Sequence, residues 1–289
     1  MLHGFLNIDK PAGMTSHDVV ARVRRLFGQK RVGHGGTLDP AATGVLPVAV
    51  GEATRLVGYL VDGRKAYRAA VHLGITTATD DAEGTVIAEQ PVPVLSRAAI
   101  IAALQPFIGT IQQVPPMYSA IQIDGRRMYD LARQGQTIEL QPREVEIDRI
   151  DVLDWQPPVI TLDIVCGKGT YIRALARDLG AALGCGAHLA SLRRTQVGPL
   201  NIETAVPLDT LLGDRDQATQ WLLAPEVAVA DWNRVDVDEA MLRRIRNGLP
   251  VQLPAEGELA RAHTPDGALL ALLHHDNGLW RPFRVFAWA

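Results

Sequence analysis

The order of pattern changes along the chain predicts an α+β fold with a mostly antiparallel, mixed sheet, followed by a small β-rich domain. Strand and helix patterns alternate without a regular βαβ cadence, and consecutive strand patterns often lack a helix between them, which argues against a doubly wound parallel sheet. The 289 residues suit two domains at about 100–200 residues each. Beyond about residue 225 the segments shorten and carry the turn signals Asn247-Gly248, Pro265-Asp266-Gly267 and Asn277-Gly278, which read as hairpin turns. The expected division is 1–225 and 226–289.

The first helix is expected over Thr15–Phe27. Val19, Val23 and Leu26 recur at helical spacing, Val20 and Phe27 widen the stripe, Thr15 or Ser16 caps the start and Gly28 the end. Lys65–Leu73 alternates, with Tyr67, Ala69, Val71 and Leu73 on one side, and reads as a strand. Ser96–Leu104 is a short helix closed by Pro106. Val114-Pro115-Pro116 breaks the chain before a strand at Ser119–Ile123, a turn at Asp124-Gly125 and a short basic helix over Arg126–Gln134. Arg143–Trp155 and Val159–Cys166 read as paired strands. Gly167-Lys168-Gly169 turns into a helix that starts near Thr170 and ends near Gly180 or Gly184, and Ala187–Val197 is another strand. Asp209–Leu223 is polar and helical and reads as a connector between the domains.

Composition narrows the class. With 47% hydrophobic and 21% charged residues, disorder, collagen and a global coiled coil are excluded. Two cysteines exclude a disulfide framework and a four-thiolate zinc site. No long apolar stretch marks a signal peptide or a membrane span, so the expected location is the cytoplasm, without membrane association. The net charge of −3 offers no global support for nucleic-acid binding. The distribution is more informative: Lys10, Arg22, Arg24, Arg25, Lys30 and Arg31 stand against the single acid Asp18, while acids collect elsewhere, as in Asp80-Asp81-Ala82-Glu83. The basic run reads as a solvated helix face or as a surface for a polyanion. A polyanion responds to the local field rather than to the sum.

The densest punctuation is Gly33-His34-Gly35-Gly36-Thr37-Leu38-Asp39-Pro40-Ala41-Ala42-Thr43-Gly44. Its glycines permit close backbone approach or positive φ, and Pro40 holds Asp39 out of the helical region. The pattern is either a plain turn with Asp39 as a cap or a carboxylate presented on a constrained loop. It does not fit a dinucleotide loop, because Leu38 stands where a glycine is required, and Gly167-Lys168-Gly169-Thr170 does not fit a P-loop. The latter reads as a strand-to-helix turn or as a phosphate perch of free N–H groups plus Lys168. Arg173 and Arg177 share one helix face, where they are surface charges or partners of a carboxylate such as Asp39. Tyr67 reads, on pattern alone, as a core tyrosine. His274-His275 and the remaining histidines lack metal-ligand spacing, and no metal site is expected.

These motifs together resemble the TruB family of pseudouridine synthases. The matching islands are Leu6-Asn7-Ile8-Asp9-Lys10-Pro11-Ala12-Gly13-Met14-Thr15-Ser16, Gly33 to Pro47, Gly51-Glu52-Ala53-Thr54-Arg55, Lys65-Ala66-Tyr67-Arg68, Gly167 to Arg173, Ala187-His188-Leu189 and Leu192-Arg193-Arg194, in family order. The resemblance implies the pseudouridine synthase fold, an inserted RNA-gripping segment at about 119–151, and a C-terminal RNA-binding domain of PUA type. It implies isomerisation of uridine-55 in the T loop of tRNA, without a cofactor or metal; a monomer is expected. It further implies Asp39 as the catalytic aspartate, Tyr67 as the tyrosine that stacks on the target base, and Arg173 as the arginine paired with Asp39. His34, Tyr171 and Leu192 match substrate-contacting positions. A non-catalytic RNA-binding protein using the same groove would not require Asp39.

The implied chemistry suits these residue types. The N1–C1′ bond breaks, the uracil turns and C5 joins C1′, so nothing is oxidised and no group is imported. A carboxylate that attacks carbon or takes a sugar proton must be ionised. A pocket dry enough for a base opposes that, and a planar arginine beside it favours it.

Overall fold

The computed structural model describes residues 1–117, 122–123, 126–127 and 140–288. The main sheet runs, in spatial order, through Val206–Pro207, Gly4–Lys10, Thr43–Val50, Ala187–Val197, Lys65–Leu73, Val159–Cys166, Arg143–Gln156 and Gly109–Gln113. Two pairings on this path are parallel, Thr43–Val50 with Ala187–Val197 and Gly4–Lys10 with Val206–Pro207. The rest are antiparallel. The sheet is therefore mixed and mostly antiparallel, as expected.

Two helices flank the strands that matter for function. Ser16–Phe27 starts at Thr15, whose hydroxyl accepts the Asp18 N–H while the Asp18 carboxylate accepts the Thr15 N–H; it ends at Gly28 in the left-handed conformation. Its apolar stripe of Val19, Val20, Val23 and Phe27 packs with Leu6, Ile8, Leu46 and Val48. Ile172–Ala182 buries Ile172, Leu175, Ala176 and Leu179 against Val71, Ile160, Leu162 and Ile164 of the sheet. Tyr67 belongs to this second cluster.

The segment expected as a connector is part of the first body. Leu208–Gly213 and Arg215–Ala218 are short helices, and Leu208, Leu211 and Ala218 enter the core beneath the Ser16–Phe27 helix. Leu222–Leu223 then pairs antiparallel with Phe5–Leu6. Its polar residues face solvent, and the few apolar ones lie where the packing needs them. Another difference lies at Arg126–Arg127, which pairs as a strand with Gln122–Ile123 rather than opening a helix; the rest of the expected Arg126–Gln134 helix and most of the segment about 119–151 lie outside the described residues. From Arg143 onward the chain is in the main sheet.

The C-terminal segment forms its own four-stranded sheet, Asn233–Asp236, Leu259–His263, Leu269–Asp276 and Leu279–Val285. Asn277 and Gly278, both at positive φ, form the two-residue turn of its last hairpin. Asn247-Gly248, expected as a hairpin turn, instead ends the helix Glu239–Arg246, with Gly248 left-handed at φ +72°. Asn-Gly supplies positive φ to either structure, and the apolar Leu242 and Ile245 ahead of it decide for the helix. Leu269, Leu272 and Phe286 share a core with Phe5, Val45, Leu56 and Leu60 of the first body. Arg55 donates to the Val285 carbonyl, and Arg284 donates to the Arg55 carbonyl.

Candidate active site

The loop carrying Asp39 is held by the two strands and the helix that bracket it. Ser16 Oγ accepts the Leu38 N–H at 2.9 Å and donates to the Leu38 carbonyl at 3.2 Å. The Pro40 carbonyl accepts from the Gly13 N–H at 2.9 Å and from Lys10 Nζ at 3.2 Å. On the other side Arg194 donates to the carbonyls of Val45 at 2.8 Å, Gly36 at 3.0 Å and Thr37 at 3.4 Å. Gly44, at φ +101°, lies so close to the Arg194 strand that a Cβ there would stand 2.1 Å from the Arg194 carbonyl oxygen. Only glycine permits that approach.

Asp39 stands at a cavity of about 270 Å³. Its walls include Tyr67, Tyr171, Arg173, Leu192, Lys65 and Arg194, together with the turn Gly167–Thr170. The fold thus brings together five of the six residues singled out from the sequence. The sixth, His34, is not among the lining residues. It sits in the strand Val32–His34 beside Thr43–Val50, with its ring edge-on to His17 at 5.2 Å. Burial holds the His34 imidazole below its usual range, aided by His17 and Arg194.

Arg173 Nη2 lies 3.2 Å from Asp39 Oδ2. The same guanidinium reaches Asp81 Oδ2 at 3.4 Å and the Thr79 carbonyl at 3.3 Å. One turn further on, Arg177 takes Asp80 at 3.0 Å and Asp178 at 2.8 Å. The acids that lie far from the basic run in the sequence are therefore the partners of the two helix arginines. Asp81 was not singled out by the sequence reading; the Asp80-Asp81 pair facing two arginines one turn apart was the available signal. The Asp39 carboxylate is 43% exposed while the Arg173 side chain is 9% exposed. Among the described residues the carboxylate is therefore open to solvent on the side away from Arg173.

Tyr67 is buried, at 8% exposure. Burial pushes its phenol above the usual range, and the guanidinium of Arg194, directly across the strand pair, pulls it back. Tyr171 precedes the helix Ile172–Ala182 and is pinned through its backbone: its N–H donates to Gln113 Oε1 at 2.8 Å, and its carbonyl accepts from Gln113 Nε2 at 3.1 Å. Gln113, 2% exposed, is a second residue that the sequence alone did not mark. Leu192, half-buried, stands opposite Ala69. Lys168, in the motif read as a strand-to-helix turn or a phosphate perch, pairs with Asp62 at 2.8 Å.

The basic run divides. Lys10 is fully buried, its ammonium spent on the carbonyls of Pro11, Met14 and Pro40, so it offers nothing to a polyanion. Arg31 pairs with Glu52. Arg24, Arg25, Gly28, Gln29 and Lys30 line a second depression at the end of the first helix. Among the described residues no group of three or more His, Cys, Asp or Glu is placed to hold a metal ion, and no helix is long and apolar enough to cross a membrane.

Comparison with known proteins shows the family. The model of the TruB family pseudouridylate synthase N-terminal domain matches residues 24–172, that of the tRNA pseudouridylate synthase B C-terminal domain matches 173–229, and that of the tRNA pseudouridine synthase II C-terminal region matches 232–287. The chain is 50% identical over 264 residues to tRNA pseudouridine synthase B of Gloeobacter violaceus, covering 90% of each chain. It is 46% identical over 296 residues to that of Thermobifida fusca, covering 99% of each. Among solved structures it resembles a chain of a Cbf5-Nop10-Gar1 complex, with TM-score 0.72 and 30% identity over 94% of this chain and 78% of that one. It also resembles a chain of an H/ACA RNP bound to a substrate RNA containing 2′-deoxyuridine, with TM-score 0.74 and 27% identity over 98% and 84%.

Proposed function

The chain belongs to the TruB family of pseudouridine synthases, and from that premise we propose that it isomerises uridine-55 in the T loop of tRNA to pseudouridine, with Asp39 acting on the nucleotide. Pseudouridine formation in tRNA follows from the family. The observation that carries the role of Asp39 is its carboxylate, 3.2 Å from Arg173 at a cavity walled by Tyr67.

A base inside a structured loop cannot reach that carboxylate, so the uridine is flipped out of its stack and enters the cavity. There the ring of Tyr67 offers a stacking face, and Leu192 and Tyr171 form further walls. The entering base supplies the missing wall over Asp39 and excludes water from it. Arg173 keeps Asp39 ionised as this happens and, being held by Asp81 on its other side, fixes the direction in which the carboxylate points. Asp39 then either attacks C1′ or takes the C2′ proton; in both routes the N1–C1′ bond breaks and the base is released as an anion. The uracil turns within the cavity and C5 bonds to C1′ as the Asp39–C1′ bond breaks or, on the other route, as C2′ takes its proton back from Asp39; the C5 proton is then lost while N1 regains one.

The test is incubation with unmodified tRNA and mapping of pseudouridine by position. Asp39→Asn, which keeps the shape but can act neither as nucleophile nor as base, is expected to abolish turnover and to leave tRNA affinity within about tenfold. Turnover above a few per cent of wild type in a preparation free of the native enzyme contradicts the role given to Asp39.

A further inference from the structure

Two buried lysines bracket the site, and they differ in how many of their N–H donors are used. An ammonium group has three N–H donors. Lys10 uses all three on carbonyls, at 2.9, 2.8 and 3.2 Å, and is not among the residues lining the cavity. Lys65 donates to the carbonyls of Val61 at 2.6 Å and Gly63 at 3.0 Å. Among the described residues it has no third acceptor, and it does line the cavity. Lys65 and Tyr67 are two residues apart on one strand and so share a face.

The charges around the cavity are unequal. Lys168 is paired with Asp62, and Arg173 with Asp39 and Asp81. Lys65 and Arg194 are 7% and 1% exposed, and neither has a carboxylate partner among the described residues. Their hydrogen bonds go to backbone carbonyls, and Arg194 also faces the Tyr67 hydroxyl. A buried cation without a counter-ion is costly. Two of them at one cavity create a positive floor that a neutral base does not require and an anionic one does. RNA phosphates are not the natural occupant, because both cations are buried in the cavity wall rather than exposed on the surface.

We propose, resting on the uridine-isomerising reading above, that Lys65 is a further catalytic residue: its unused N–H and its charge stabilise the uracil anion released on glycosidic cleavage, with Arg194 adding to the same field. When the N1–C1′ bond breaks, its electron pair stays with N1 and spreads to O2 and O4. C1′ is made good by a bond to an Asp39 oxygen, or by loss of the C2′ proton to Asp39. Either way the base carries a full negative charge until C5 bonds to C1′. A fixed cationic donor in a water-poor cavity acts on this charge far more strongly than on the neutral uridine, which is the condition for accelerating cleavage.

The experiment compares leaving groups. The full-length protein and Lys65→Met are assayed in single turnover on tRNA carrying either uridine or 5-fluorouridine at the target position, following loss of the starting nucleoside. Fluorine withdraws electrons, so 5-fluorouracil leaves as the more stable anion and depends less on Lys65. The expected result is a loss of about 10²-fold on uridine and a markedly smaller loss on 5-fluorouridine, with tRNA affinity little changed. Equal losses on both substrates overturn the proposal and make Lys65 a packing residue. If Lys65→Met does not melt like the native protein, Lys65→Gln, which keeps amide donors for the two carbonyls and drops the charge, must show the same difference between substrates. A native protein that forms no pseudouridine on the uridine substrate refutes the functional reading instead.

Discussion

Replacing Arg173 with methionine removes the guanidinium that Asp39 and Asp81 share, and the structure sets the size of the effect. The Arg173 side chain is 9% exposed, Asp81 16% and Asp39 43%. The half-exposed bridge to Asp39 contributes at most about 1 kcal/mol to stability. Asp81 is different: it is part-buried, among the described residues it keeps only the Thr79 hydroxyl and the Glu83 N–H as donors, and removing the cation from one side of such a pair costs up to about 3 kcal/mol. At about 2–4 °C per kcal/mol for a body of this size, Arg173→Met is expected to melt about 10 °C below the native protein. Adding Asp81→Asn removes the stranded charge and is expected to restore more than half of the loss, a coupling that a double-mutant cycle measures directly. Asp39→Asn in the same background is expected to restore little. Chemistry follows the other bridge. A carboxylate no longer aimed at the nucleotide is expected to slow single-turnover pseudouridine formation by about 10²-fold while tRNA affinity holds. Melting within about 2 °C of the native protein, together with a rate within about threefold, refutes the shared-ion account.

Binding to tRNA is expected to weaken steeply with salt despite the acidic balance of the chain, with Arg22, Arg25 and Lys30 each contributing about 0.7–0.9 to the log–log slope and Arg31, already paired with Glu52, contributing less; a flat dependence removes this surface from the RNA contact. Activity is expected to survive exhaustive chelation without added nucleotide or flavin, and loss restored by one metal contradicts the cofactor-free chemistry. The fragment 1–225 retains the Leu222–Leu223 strand and every cavity-lining residue, so it is expected to fold and to keep catalysis at saturating RNA with weaker affinity. It is also expected to melt earlier, because it uncovers Leu56 and Leu60; circular dichroism and single-turnover assays check both, and a folded fragment without chemistry at saturation shows that part of the site lies beyond residue 225.

By itself the sequence determined the local elements, the sheet class and the identity of the chemical groups. The strand Lys65–Leu73 stands where alternation placed it, Val159–Cys166 and Ala187–Val197 are strands as expected, and the first helix has the stripe and caps read from Thr15 to Gly28. The motifs around Asp39, Tyr67 and Arg173 were legible because each is a short run of residues. Periodicity, capping and turn chemistry act over a few residues, so they survive in a one-dimensional reading. The tertiary structure decided which charges meet. Asp81 reaches Arg173, and Lys10, which reads as part of a basic surface, is swallowed by three carbonyls, because strand order sets segments distant in the chain beside one another. Polar Asp209–Leu223 became part of the core on the strength of a few leucines, and Asn247-Gly248 closed a helix rather than a hairpin. The unused N–H of Lys65 is likewise a property of its surroundings alone. Hydrogen-bond saturation and charge compensation are sums over all neighbours of a group, and most of those neighbours are remote in the chain.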